Sequence, residues 1–219
     1  MTKTLLTPIT LPSGQALKNR ILMAPMTTQS AYFDGSMTEE LMAYYAERSG
    51  NAAAIIVESA FVEDKGRGFF GALGIDHDDK IEGLSRLAKA IINKGSKAYI
   101  EIYHAGRMAW PEMNGSATSI SASAVAALRP NAPVPTEMTH QAILEMIDAF
   151  KEAVRRAIKA GFDGVELHGA NTYLLQQFFS PHSNRRQDAW GGSREKRAKF
   201  PLEVLKAAHH VVAEEGGQD

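Results

Sequence analysis

The sequence contains no cysteine, which excludes a disulfide framework, a thiolate metal site and a cysteine nucleophile together. No apolar run approaches the ~18 residues that a membrane-spanning helix needs, and Met1–Pro8 has no secretory h-region. The expectation from both is a cytoplasmic protein with no membrane partner. Charge of one sign is not in excess either. The 219 residues carry 24 Lys and Arg against 25 Asp and Glu, a formal net charge of −1. A general nucleic-acid binder shows a basic surplus, so no nucleic-acid partner is expected. What is present is ordinary globular stock, 44% apolar and 22% charged, which argues against wholesale disorder. No low-complexity tract or long linker divides the chain, so residues 1–219 read as one domain.

Short apolar runs alternate with helical patterns. Ile21–Pro25, Ala53–Glu58, Lys97–Tyr103 and Gly164–His168 read as strands, and the intervening segments carry helical periodicity. A helix is expected around Thr38–Ser49, stopping at Gly50, and another over Lys80–Lys94, stopping at Gly95. The pattern over His140–Ala160 places Ile143, Ile147, Phe150, Val154 and Ile158 on one face, with Thr139 as N-cap and Gly161 as stop. A last helix, from about Ser193 to Glu215, contains Pro201, which predicts a kink or break there. Four βα repeats predict parallel strands, adjacent in chain order. Thr7–Leu17 reads as a small hairpin ahead of the first strand, and Ala105–Met138 as an elaborated βα loop.

Two parallel architectures compete. A doubly wound sheet wants a phosphate loop straight after its first strand, and Gly66-Arg-Gly68-Phe-Phe-Gly71 matches G-x-G-x-x-G in letters. It lies well past the strand end at Glu58 and opens no helix, so it reads as a plain loop. A (β/α) barrel instead gathers its functional residues at the C-terminal ends of several strands. Thr27, Ser59, Glu101, His104, His168, Asn171 and Tyr173 all fall at such positions. The densest cluster is His168-Gly-Ala-Asn171-Thr-Tyr173. An imidazole and a carboxamide can both donate to one developing oxyanion, and a phenol can deliver a proton. Alone, the cluster is equally compatible with a structural histidine and a loop-capping asparagine.

Other features weigh less. His209 and His210 are adjacent on a helix and point about 100° apart, so no metal site is expected. No G-x-S-x-G elbow supports a hydrolytic serine. Asn184-Arg-Arg186-Gln-Asp188 and the turn Trp190-Gly-Gly-Ser193 read as a loop that locks onto itself.

Taken in order, Leu17-Lys-Asn-Arg20, Met23-Ala-Pro-Met26-Thr27, Ile56-Val-Glu58, His104-Ala-Gly-Arg107, His168-Gly-Ala-Asn171-Thr-Tyr173 and the Ser180-Pro181 to Ser193 segment resemble the Old Yellow Enzyme family. The resemblance spans practically the whole chain. Tyr173-Leu-Leu-Gln-Gln-Phe-Phe-Ser180-Pro181 looks most like the bacterial branch of NADH-dependent flavin oxidoreductases. It implies a TIM (β/α)8 barrel, FMN as cofactor, NADH or NADPH as reductant, and enone-type substrates. It further implies that Ala24, Pro25, Met26 and Thr27 line the flavin, with the Thr27 hydroxyl tuning its electron affinity and Ser59 against the ring. His168 and Asn171 would bind the carbonyl oxygen of an activated alkene and also the nicotinamide. Tyr173 would protonate the alkene after hydride arrives from the flavin. One departure stands out: where the family usually has Gln against the flavin pyrimidine edge, this chain has Glu101. A carboxylate accepts but cannot donate unless protonated. Gln29 likewise stands where several relatives have an aromatic residue.

Only about four βα units are legible, whereas a TIM barrel needs eight and ~250 residues. The chain therefore reads as the N-terminal half of an FMN-binding barrel, apparently truncated. The expected flavin-phosphate site of such barrels lies after strands 7 and 8, so this stretch alone is expected to bind FMN poorly. Strands 1 and 4 would have open edges. Two readings stay open here: a catalytic half completed by further chain, by a homo-oligomer or by a complementing half-barrel, or a fragment that folds without retaining flavin.

Overall fold

The computed structural model describes residues 2–115 and 118–215, so the glycine-rich end at 216–219 lies outside it. Four strands form one sheet in chain order, β1 (Leu22–Met23), β2 (Ala54–Phe61), β3 (Lys97–Tyr103) and β4 (Gly164–Leu167). All pairs are parallel, with Leu22 opposite Ala54, Ile55 opposite Ala98, and Glu101 opposite Glu166. The crossovers carry α1 (Glu39–Arg48), α2 (Ile81–Ile92) and α3 (His140–Ala160). After β4 come α4 (Leu174–Phe179) and α5 (Arg194–Glu215).

The helix ends follow the sequence chemistry. The Thr38 hydroxyl accepts the Leu41 N–H at 3.1 Å, and the Thr139 hydroxyl accepts that of Ala142 at 3.1 Å. Each cap satisfies a donor that the first helical turn leaves free. Gly161, at φ 85°, stops α3 in a left-handed conformation that a side chain would resist. The apolar stripe of α3 buries Ile143, Phe150 and Val154, which join Leu84 and Leu87 of α2 and Ile55, Val57, Ile100 and Ile102 of the sheet in one core. Burying each such side chain contributes roughly 1.5–3 kcal/mol. The hairpin pairs Ile9–Thr10 with Ala16–Leu17, antiparallel. It sits under the N-terminal ends of the strands, where Lys18 donates to the carbonyls of Gly50 and Gly95 and the Tyr99 hydroxyl reaches Gln15.

Three expectations need correction. β1 is two residues rather than Ile21–Pro25, because beyond Met23 the chain leaves the sheet to cross over its C-terminal end. β2 runs past Glu58 to Phe61, with a register shift between Val57 and Ala60. α5 is unbroken through Pro201, its packing on α3 and α4 outweighing the one lost backbone donor. The loop at Gly66–Gly68 is the plain loop expected: a single 3-10 turn, Asp64–Gly66, with no helix after it. A Cβ on Gly66 would fall 2.3 Å from the His104 ring, so glycine serves close packing there. The Asn184–Asp188 segment locks onto more than itself. Arg186 pairs with Asp188 at 2.6 Å and also donates to the carbonyls of Ala122 and Met138, tying down the long loop after β3.

Burial is uneven across the sheet. β2 and β3 are almost wholly buried, while Leu22 of β1 is 46% exposed and every residue of β4 is half-buried. Beside β4, Leu167, Leu175, Phe179, Leu202 and Leu205 border an apolar groove of about 380 Å³.

Candidate active site

A cavity of about 400 Å³ opens at the C-terminal ends of the strands. Pro25, Thr27, Ser59, Glu101, His168, Asn171 and Tyr173 all line it, together with Glu166. Segments that are far apart in sequence therefore meet as the parallel topology requires. Ala24 and Met26 do not line it. Exposure alternates from Met23 to Thr27, leaving Ala24 and Met26 facing solvent, Met26 at 51%. An extended segment turns successive side chains to opposite sides, so Pro25 and Thr27 face inward. His104 is also outside the cavity. Its ring is buried under Gly66, with Nδ1 accepting the Gly106 N–H at 2.9 Å and Nε2 3.5 Å from Glu63.

The irregularity in β2 sorts two neighbours to opposite sides. Val57 lies opposite Ile100 and Ala60 opposite Ile102, so the strand holds one residue more than its partner. Glu58 points toward α1, where one carboxylate oxygen accepts from the Thr28 N–H, the Thr28 hydroxyl and the Tyr45 hydroxyl at 3.2, 2.8 and 3.1 Å. Ser59 points into the cavity and donates to Glu101 Oε1.

His168 follows directly on β4. Its Nδ1 accepts the Ala170 N–H at 3.3 Å, which leaves the proton on Nε2. Burial pushes its pKa down, so it stands as a neutral donor. Nε2 lies 3.6 Å from Glu101 Oε2, too far for a hydrogen bond. The Tyr173 ring meets His168 edge-on at 4.7 Å and Tyr103 at 5.1 Å. Burial, and then the Glu101 carboxylate, raise the Tyr173 hydroxyl, so it keeps its proton. Between His168 and Tyr173 the chain makes a tight turn. Asn171 and Thr172 have φ of 50° and 60°, and the Tyr173 N–H donates to Ala170 at 3.1 Å. Such φ values suit Asn but strain a β-branched Thr.

Sequence reasoning missed the group that holds this turn. Gln177, wholly buried on α4, donates to the carbonyls of Thr172 and Ala105 at 2.5 and 3.0 Å. Its oxygen accepts from the Arg107 N–H and the Ser121 hydroxyl at 3.1 and 2.9 Å. All four hydrogen-bonding positions of the amide are used. Nothing in the run Leu174–Phe179 distinguishes this glutamine from Gln176 beside it. Glu166 was missed as well, although two-residue periodicity from His168 points to it.

The family model described as "NADH:flavin oxidoreductase / NADH oxidase family" matches residues 4–217. The chain belongs to that family. It is 64% identical over 211 residues to the NADH:acrylate oxidoreductase of Vibrio harveyi, covering 96% of this chain and 21% of that protein. It is 54% identical over 208 residues to the NADH:fumarate oxidoreductase of Klebsiella pneumoniae, covering 95% of this chain and 22% of that one. Among solved structures, morphinone reductase superposes with a TM-score of 0.89 at 31% identity, over 96% of this chain and 60% of that enzyme. The chain thus spans about a fifth of these curated relatives, and the fold is part of an Old Yellow Enzyme TIM barrel. FMN is the cofactor of the family and a nicotinamide nucleotide its reductant.

The cavity suits the ring end of FMN. Pro25 offers an apolar contact, and Thr27, Ser59 and Glu101 offer polar groups of both senses around one opening. No Lys or Arg lines it among the described residues, so the cavity offers no cationic side chain to a phosphate.

Proposed function

We propose that the cavity is the flavin and substrate site of an NAD(P)H-dependent oxidoreductase acting on activated alkenes. The carrying observation is that His168, Asn171 and Tyr173 converge on the cavity that Thr27, Ser59 and Glu101 line from the neighbouring strands. In this reading Pro25, Thr27, Ser59 and Glu101 hold the flavin ring. His168 Nε2–H and the Asn171 amide hold the oxygen of the group that activates the alkene, and stabilise negative charge as it grows there. Tyr173 holds a proton at its hydroxyl for the alkene carbon next to that group. When bound, FMN supplies the hydride chemistry. The same donors, His168 and Asn171, serve the nicotinamide during the reductive half of the cycle.

The substrate is an enone-type alkene or an α,β-unsaturated carboxylate. The names of the acrylate and fumarate oxidoreductases favour the carboxylate. The test is absorbance and NADH-dependent bleaching of the native protein. The expected result is bound FMN that NADH reduces and acrylate, fumarate or an enone reoxidises. A protein that never acquires flavin would contradict the reading.

A further inference from the structure

Glu101 and Glu166 are register partners on β3 and β4, so their side chains leave the sheet on the same face, and both line the cavity. Two carboxylates held side by side repel, and such a pair commonly keeps one proton. No Lys or Arg lines the cavity among the described residues to let both ionise. The one imidazole present is a poor cation. His168 has its pKa pushed down by burial, its Nδ1 accepts the Ala170 N–H, and its Nε2 stays 3.6 Å from Glu101. From β2, Ser59 brings only a hydroxyl, donated to Oε1 of Glu101. From the loop after β4, Tyr173 brings a neutral phenol. Burial, joined by the Glu166 carboxylate, pushes Glu101 up to about 7.

We propose that Glu101, set beside a second carboxylate with no cationic side chain among the described residues to offset it, keeps its proton at neutral pH and presents a carboxyl O–H from Oε2 into the cavity. A neutral carboxyl is donor and acceptor in one group, as a carboxamide is. The cavity floor is thereby a hydrogen-bond donor to a ligand acceptor such as a ring carbonyl. Naming that ligand as flavin rests on the function proposed above; the proton kept by Glu101 does not.

The experiment has two arms. The 219-residue chain carrying ¹³C-carboxyl glutamate is titrated by NMR from about pH 4 to about pH 9, beside Glu101→Gln and Glu166→Gln. One resonance is expected to titrate near pH 7, to vanish in Glu101→Gln and to move down by about a unit or more in Glu166→Gln. If every glutamate finishes titrating below about pH 6, or if His168 instead takes the proton with a midpoint above 7, the proposal is overturned. In the second arm FMN affinity of the native protein is followed by fluorescence. It should weaken roughly tenfold from pH 6 to pH 8 as a group near 7 ionises, and be flat in Glu101→Gln. The near-neutral carboxyl without FMN binding at any pH would support the proton kept by Glu101 and sink the flavin reading.

Discussion

Glu58 and Glu101 stand on adjacent central strands, both buried and both with pKa values raised by that burial. Their surroundings differ. Glu58 faces α1, and three donors converge on one of its oxygens while its backbone N–H donates to the Tyr45 hydroxyl at 2.8 Å. Glu101 faces the cavity with a single donor, Ser59, and a second carboxylate for a neighbour. A buried acid enclosed by its own fold is a tie between elements. A buried acid left half-dressed beside a cavity is available for chemistry. One extra residue in β2 separates these two environments.

The largest expected effect breaks the enclosed acid. Glu58→Ala removes the acceptor of three donors, leaving the O–H groups of Tyr45 and Thr28 and the Thr28 N–H without their acceptor. A loss of about 3 kcal/mol is expected by urea unfolding, since each stranded polar group costs roughly 1–3 kcal/mol. Glu101→Ala should cost clearly less, and equal losses would erase the contrast. Next comes Tyr45→Phe, which strands the Glu58 N–H and removes one donor to its carboxylate. About 1–2 kcal/mol is expected from the same measurement.

A gentler effect sharpens the comparison through pH. The folded chain holds the Glu101 proton to about 7 against an ordinary 4.5, so the folded state binds the proton more tightly than the unfolded one. Its contribution to stability is therefore greatest in acid and falls as pH rises between about 4.5 and 7. The slope is at most about 1.4 kcal/mol per pH unit. Glu101→Gln should remove that slope, as read from unfolding midpoints across the window. Parallel wild-type and variant profiles would contradict the assignment.

The same contrast marks how far sequence reading reaches. The four parallel strands in chain order, the α3 boundaries and the Thr139 cap were legible because hydrophobic period and cap chemistry are local. That Thr27, Ser59, Glu101 and His168 meet at one cavity was legible because a parallel barrel gathers its strand ends, whereas His104, expected there too, packs outside it under Gly66. The extra residue in β2 was not, since a register shift depends on the partner strand and leaves no mark in Ile55–Ala60. A break in α5 at Pro201 is absent because packing on α3 and α4 outweighs the local cost of the proline. Gln177 was invisible for a similar reason: its four partners come from three separate segments. Ala24 and Met26 followed from motif resemblance, which carries a segment into place without saying which of its side chains face inward.

The central claim is that the residues meeting at this cavity divide the work, with His168 and Asn171 holding an oxygen and Tyr173 holding the proton. Stopped-flow measurement of each half-reaction in the flavin-loaded native protein tests it most directly. Tyr173→Phe removes the proton and keeps the ring, so reduction by NADH should proceed at nearly the parent rate. Reoxidation by the alkene should slow by roughly 10²–10⁴-fold, while His168→Ala should weaken both halves. A Tyr173→Phe protein that reoxidises with the alkene as fast as its parent would contradict the account.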